Sequence, residues 1–250
     1  MYPANFFPPK PFYISPSALG HYFTCPAKYA YSRQWRAARV DQALTDGVDA
    51  HAIVAGIKTP TASMAALAFV ARIRRTLKTE YQSVSRQKEI RDELRLAGGV
   101  VLVRIIDRLG VNRAGDPRVI DYKTGTWPWK TYPHNTVPKA RGFQATAYTL
   151  PPSKRLAGIR PEAWPQAVDF LTVPSQGGTT IHTYVQTGED VTNLLEAIEI
   201  VRSADKFPKV RGIACDYCPF RSKCFGYEKP GEYLARDDYA EASQESSAAD

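Results

Sequence analysis

The stretch Val100–Lys130, VVLVRIIDRLGVNRAGDPRVIDYKTGTWPWK, limits the possible folds more than any other part of the chain. Val100 to Ile106 is a β-branched, apolar run that ends in Asp107 and Arg108. The breakers Asn112-Arg113-Ala114-Gly115-Asp116-Pro117 then turn the chain. Arg118 to Lys123 reads as the return strand, so the spacing predicts a β-hairpin with an acid on each arm. Side chains alternate faces along a strand, which points Asp121 and Lys123 the same way and Tyr122 the other. Two carboxylates on adjoining strands can share a hard divalent cation such as Mg²⁺. An amine beside them can stabilise charge on a phosphate under attack. An ordinary hairpin with solvated surface charges is the rival reading.

The chain has 250 residues, 44% of them hydrophobic and 11% aromatic, enough for a sizeable core. We expect a single domain over residues 1–236: a helical part at 13–80, a sheet core at 84–185, and a helix with a cysteine cluster at 187–224. Residues 237–250 are small and acidic and are expected to form a disordered tail. No apolar run approaches the roughly 18 residues of a membrane span. The opening MYPANFFPPKPFYISPS lacks the pattern of a signal peptide. A soluble, cytoplasmic protein is therefore expected. The net charge of +8 favours polyanionic partners, although a basic surface can also serve solubility alone. The four cysteines of an intracellular chain suit metal binding better than disulfides.

In chain order, residues 1–12 read as an extended arm, and Ser15 or Ser17 can cap a helix through Ala18–Phe23. Cys25-Pro26 interrupts it, and Ala27–Arg36 forms a second helical piece. Gly47-Val48-Asp49-Ala50-His51 leads into the apolar start Ala52-Ile53-Val54. Thr61–Tyr81 is a long helix whose distal end carries Arg72, Arg75 and Lys78. Those cations either lie along a phosphate backbone or form a solvated face. Val84–Leu96 is strand-like in part and holds Glu89 and Glu93. Trp127, Trp129 and Lys130 suit stacking on single-stranded bases, or else plug the core. Gln144 and Tyr148, four apart on a helix, share a face. Residues 151–165 form a surface connection. Ala167–Val173 and Thr179–Val185 are two strands about a Ser175–Gly178 turn, and Asp190–Phe207 is a core-packing helix with Thr187 as its cap. Cys215, Cys218 and Cys224, with Cys25 far upstream, make four thiolates for a [4Fe–4S] cluster or a structural Zn²⁺.

Together these motifs resemble the PD-(D/E)XK nuclease superfamily in its RecB-like exonuclease form, including CRISPR-associated adaptation and AddB-type nucleases. The carriers are Ile106-Asp107-Arg108, Asp121-Tyr122-Lys123-Thr124-Gly125, Gly47-x-x-x-His51, Gln144-x-x-x-Tyr148, and Ser15-x-Ser17-x-Leu19 leading to Cys25-Pro26. The resemblance spans residues 13–224. It implies an α/β, restriction-endonuclease-like fold: a central mixed sheet flanked by helices, with the chain ends joined in an iron–sulfur-tethered helical subdomain. It implies that His51, Asp107, Asp121 and the Tyr122 carbonyl hold one or two Mg²⁺ or Mn²⁺ ions. Lys123 would orient or deprotonate the attacking water, and Gln144 and Tyr148 would position the strand. Glu89 is the further candidate acid, with Glu93 second. One cysteine plus three looks more like the family's cluster than like zinc. The implied activity is a single-strand-preferring DNA exonuclease of recombination or repair. An endonuclease, a prespacer-trimming enzyme, and a non-catalytic nucleic-acid-binding recombination partner are the alternatives. One departure stands out: relatives usually carry glycine three residues before the first aspartate, and this chain has Arg104. That cation either crowds the site or reaches a phosphate of the DNA.

Overall fold

Asp107 is the point at which one strand becomes two. The structure, a computed structural model, describes residues 11–34, 42–57, 59, 61–85, 89–124, 137–173, 177–212, 215, 218–221 and 224. Trp127, Trp129, Lys130 and the acidic tail lie outside these residues. On one side of Asp107, β1 (Phe12–Ile14), β3 (Ile90–Arg95) and β4 (Val100–Ile106) form a sheet in the order β1-β4-β3. On the other, β5 (Arg108–Asn112) belongs to a second sheet with β2 (Tyr81–Val84), β6 (Pro117–Thr124), β7 (Ala167–Val173) and β8 (Thr180–Val185). Its order is β2-β5-β6-β7-β8, with β6 and β7 parallel and the other neighbours antiparallel.

The hairpin about the Asn112–Pro117 turn is present, but its first arm is β5 and not the run Val100–Ile106. The return strand β6 pairs with β5, from Arg108 opposite Ile120 to Val111 opposite Pro117. It does not pair with β4. A strand has two edges, and those of β4 are filled by antiparallel β3 and parallel β1. The expected single sheet is therefore two mixed sheets flanked by helices. No local pattern marks β1 as a strand, because three residues carry too little periodicity to declare one.

The helices begin where the caps direct. Ser15 accepts the Ala18 N–H to start α1 (Pro16–Thr24), and Ser63 accepts that of Ala66 to start α4 (Met64–Glu80). Thr187 and Asp190 form a reciprocal capping box on α6 (Gly188–Ser203). The remaining helices are α2 (Pro26–Gln34), α3 (Gln42–Val54) and α5 (Val137–Thr149). Among the described residues no helix is long and apolar enough to cross a membrane.

Alternation along β6 sends its two faces into different cores. Ile120 and Tyr122, with Leu171 and Val173 of β7, pack under Ala50 and Val54 of α3 and Phe69, Val70, Ile73 and Leu77 of α4. On the opposite face Val119, Val168 and Phe170 meet Ala145 and Tyr148 of α5 and Trp164. Through Phe143 and Ala147, α5 also joins the core of α1, α6 and the three-stranded sheet. Each large aliphatic side chain so buried contributes about 1.5–3 kcal/mol. Thus α5 spans both sheets, and the position of its Gln144 is set by both.

Arg104 corrects a second expectation. It is 0% exposed and cannot meet DNA. Its Nε and Nη2 donate to Asp92 Oδ2 at 2.8 and 2.5 Å, and its Nη1 donates to the carbonyls of Ala147 and Leu150. Removing one partner of such a buried pair typically costs about 3–5 kcal/mol, so this cation is bound into the core rather than available to a ligand.

Gly110 of β5 marks a tight crossing near the site. A Cβ there would lie 2.8 Å from Ile120 Cδ1 and 3.0 Å from the Ser83 carbonyl oxygen. The variant Gly110→Val should therefore lose about 2 kcal/mol of stability through overpacking, read as a lowered urea midpoint. An unchanged midpoint would show that β2 and β6 can part there freely.

Candidate active site

The break after β4 leaves the far end of β6 without a β5 neighbour. The pairing of Arg108 with Ile120, continued by one residue, sets Asp107 opposite Asp121. In place of a ladder bond, Asp107 Oδ2 accepts the Tyr122 N–H at 2.8 Å. The same oxygen lies 3.4 Å from His51 Nδ1. His51 arrives on α3, over the Tyr122 face of the sheet, with ring centres 5.8 Å apart.

On the α5 face of β6, Lys123 Nζ approaches Asp121 Oδ2 to 2.5 Å. Its ammonium also lies 5.8 Å from the centre of the Phe170 ring. Gln144 Nε2 donates to Asp121 Oδ1 at 3.2 Å and to Tyr148 Oη at 2.8 Å. His51 and Asp107 form one group of contacts, and Asp121, Lys123, Gln144 and Tyr148 a second, joined through the Tyr122 backbone next to Asp121. They come from α3, the β4–β5 break, β6 and α5.

Two further residues hold α3 in place. Arg108 donates to the carbonyls of Ser85 at 2.9 Å and of Val54, the last residue of α3, at 3.3 Å. Gly47, one turn before His51, faces Thr124 so closely that a Cβ would come within 2.5 Å of its Oγ1. The missing side chain lets α3 approach the end of β6. No local pattern in the sequence showed what Arg108, Gly47 or Phe170 touch, because their partners are far away in the chain.

The electrostatics follow from burial. Asp121 is 2% exposed, and burial raises its carboxyl above the ordinary carboxylate range. Lys123 opposes that shift and Asp107 adds to it. Burial pulls the His51 imidazole down, but the hydrogen bond and charge of Asp107, with the charge of Asp121, hold it above its usual value. Tyr148 is raised well above a free phenol by burial and by Asp121, so it is a neutral hydroxyl and not a phenolate. Asp121 Oδ2 is fully enclosed and has no aligned hydrogen bond despite its ion pair with Lys123. A buried carboxylate oxygen with a free lone pair is the donor a cation takes. Among the described residues no three His, Cys, Asp or Glu side chains converge on one point as they stand. Lys123 lies against Asp121, while the Tyr122 N–H and His51 share the other carboxylate.

The remaining candidates are placed as follows. The Glu89 N–H donates to the Asp107 carbonyl at 3.0 Å, and Glu89 has a left-handed φ of 53°. Its exposed side chain starts from the edge of the site. Glu93 lies further along β3, opposite Val103, in an ion pair with Arg91. Arg72 and Arg75 line a cavity of about 410 Å³ with Thr76, Thr79 and the Gly177-Gly178 turn. Lys78 is exposed nearby. Cys25, Cys215, Cys218 and Cys224 line one small cavity of about 20 Å³ with Lys28, Tyr31, Val210 and Arg221. None is in a disulfide. The Ala27 N–H bonds to the Pro208 carbonyl at 3.1 Å, which brings α2 against the segment that follows α6.

Known proteins resemble this chain in fold and in sequence pattern. A solved structure from Eubacterium rectale, provisionally named an exonuclease, is 15% identical over 89% of this chain and 91% of that one. It superposes with a TM-score of 0.53, so the two share a fold. The structure of SSO0001, 16% identical over 87% of both chains, superposes at 0.45, too loosely to bear on the fold. No curated protein matches the sequence. The profile of the PD-(D/E)XK nuclease superfamily matches residues 60–225, from just before α4 through the last cysteine. That span is more than half of the chain and includes Asp107, Asp121, Lys123, Gln144 and Tyr148. The chain belongs to the PD-(D/E)XK nuclease superfamily.

Proposed function

We propose that this protein is a divalent-metal-dependent deoxyribonuclease that degrades single-stranded DNA from its ends. The observation that carries the reading is the pairing of Asp107 with Asp121 across the broken edge of β6, with Lys123 in an ion pair with the enclosed Asp121 Oδ2. Nucleases of this superfamily typically use Mg²⁺ or a similar ion, and the oxygen-rich donor set here fits one. Asp107, Asp121 and His51, with the Tyr122 carbonyl, would hold one or two Mg²⁺ or Mn²⁺ ions. When bound, the metal lowers the pKa of water and offsets charge on the phosphate.

The protein's own groups do the rest. Lys123 moves from Asp121 towards the attacking water, which it orients as an ammonium, or deprotonates once it has given its own proton to solvent, and then faces, as a cation, the charge that develops on phosphorus-bound oxygen. Gln144, freed from Asp121 Oδ1, and the neutral Tyr148 hydroxyl hold the strand by donating to phosphate oxygens. Arg72, Arg75 and Lys78 on α4 supply salt-dependent affinity for the backbone, consistent with the net charge of +8. The four cysteines would hold a structural [4Fe–4S] cluster, with Zn²⁺ as the alternative. Their shared cavity supports a common ligand.

End-labelled linear single-stranded DNA with Mn²⁺ tests the activity. The wild type should degrade it, while Asp121→Ala and Lys123→Ala should bind without cutting, with losses of at least 100-fold. Three inert but binding proteins would instead favour a non-catalytic nucleic-acid-binding module. Opening of circular single-stranded DNA would make the enzyme an endonuclease.

Metal binding has a readout independent of cutting. Burial raises the Asp121 pKa, so this group favours folding at acidic pH and loses that contribution as pH rises through its folded value. In EDTA at pH 7, Asp121→Asn should therefore melt higher than wild type, and the gap should close on acidification. Added Mn²⁺ should raise the wild-type Tm, by the equivalent of about 2.7 kcal/mol at 100 times its Kd, and leave the variant unmoved. Equal Mn²⁺ responses would remove Asp121 from the metal site.

Anaerobically purified protein should be brown, with broad absorption at ~400 nm from the cluster. A colourless preparation with stoichiometric zinc would make the cysteine site a zinc site.

A further inference from the structure

Arg104 stands three residues before Asp107 on β4, and its side chain runs from the sheet to the end of α5. There its Nη1 donates to the carbonyls of Ala147, at 2.6 Å, and of Leu150. The Ala147 carbonyl is among those that a helix leaves without internal partners at its C-terminus. The other side of the guanidinium is held by Asp92 of β3. Its Cζ lies 5.6 Å from the centre of the Trp164 ring, and Trp164 Nε1 donates to the Tyr148 carbonyl at 2.8 Å. One planar cation thus ties two strands of the small sheet to the last turn of α5, beside a second donor on that turn.

This attachment fixes a distance that the site depends on. Gln144 reaches Asp121 Oδ1 at 3.2 Å, already towards the long end of a hydrogen bond. A shift of α5 by roughly half an ångström would break it. The strand leading to Asp107 and the helix carrying Gln144 and Tyr148 have Arg104 as a common anchor.

We propose that Arg104 is a positioning residue: it sets the separation between the Asp107 strand and the Gln144–Tyr148 helix, and so aligns the groups that hold the DNA strand. The proposal rests on the nuclease reading above for its effect on turnover. It does not need that reading for its effect on α5. Lysine would keep the charge beside Asp92 but has no planar fork to hold both carbonyls and the carboxylate together.

The test uses the full chain, comparing wild type with Arg104→Lys on linear single-stranded DNA with Mn²⁺. The variant should lower kcat at least tenfold with KM within twofold. Amide hydrogen exchange at residues 146–150 should rise at least tenfold, with α4 unchanged. Trp164→Phe, which removes one donor to the same turn, replaces the lysine variant if that one does not fold, and the same pattern is expected. A kcat within twofold of wild type overturns the proposal. So does a uniform rise in exchange across α4 and α5 with a matching fall in Tm, because that describes general destabilisation. If the wild type itself does not cut, exchange alone decides. Faster exchange confined to α5 keeps the positioning role and removes the nuclease reading, and unchanged exchange overturns the positioning role.

Discussion

Both edges of β4 are occupied, and the architecture of the site follows from that constraint. With β3 on one edge and β1 on the other, the strand cannot also pair with β6. The chain therefore passes into the second sheet at Asp107. The ladder between β5 and β6 begins one residue later, so the Tyr122 N–H faces a gap instead of a carbonyl. A buried backbone donor without a partner is costly, and the Asp107 carboxylate fills the gap at 2.8 Å. One interaction thus closes the sheet and brings the first acid to the second.

What gathers at that gap is unfavourable by itself. Asp121 is enclosed, disfavoured as an anion by burial and by its neighbour Asp107, and only partly compensated by Lys123. Protein interiors seldom retain such a group without a use for it, and the divalent cation proposed above would supply one. The scaffold around it is correspondingly firm. Arg108 fastens the end of α3 and Arg104 the end of α5, each by donating to helix C-terminal carbonyls, where a positive charge is favoured. The helices that bring His51 and Gln144 are held by buried arginines placed one residue after Asp107 and three before it.

Much of this could be read in advance because it is local. The β-branched run, the breaker cluster and the alternation Asp121-Tyr122-Lys123 specify strands and faces within a few residues. The caps at Ser15, Ser63 and Thr187 specify helix starts in the same way. The four-residue spacing of Gln144 and Tyr148 specifies a shared helix face. Where the reading failed, the deciding partner was remote. The pairing of β6 with β5 turned on β1, a three-residue strand almost ninety positions before β4. Arg104 was open between crowding the site and reaching a phosphate because the carbonyls that absorb it lie more than forty residues downstream. Glu89 and Glu93 looked alike until pairing set Glu89 beside Asp107 and Glu93 opposite Val103.

The amino-acid order by itself determined which side chains could do chemistry and which of them share a strand or helix face, since backbone geometry repeats over two residues or over three to four. Only the tertiary structure decided which strand edges were free to pair, and therefore that Asp107 faces Asp121. It also decided which arginines were taken into the core. Edge occupancy and burial belong to the whole packed chain, because each depends on every element competing for the same edge or the same space.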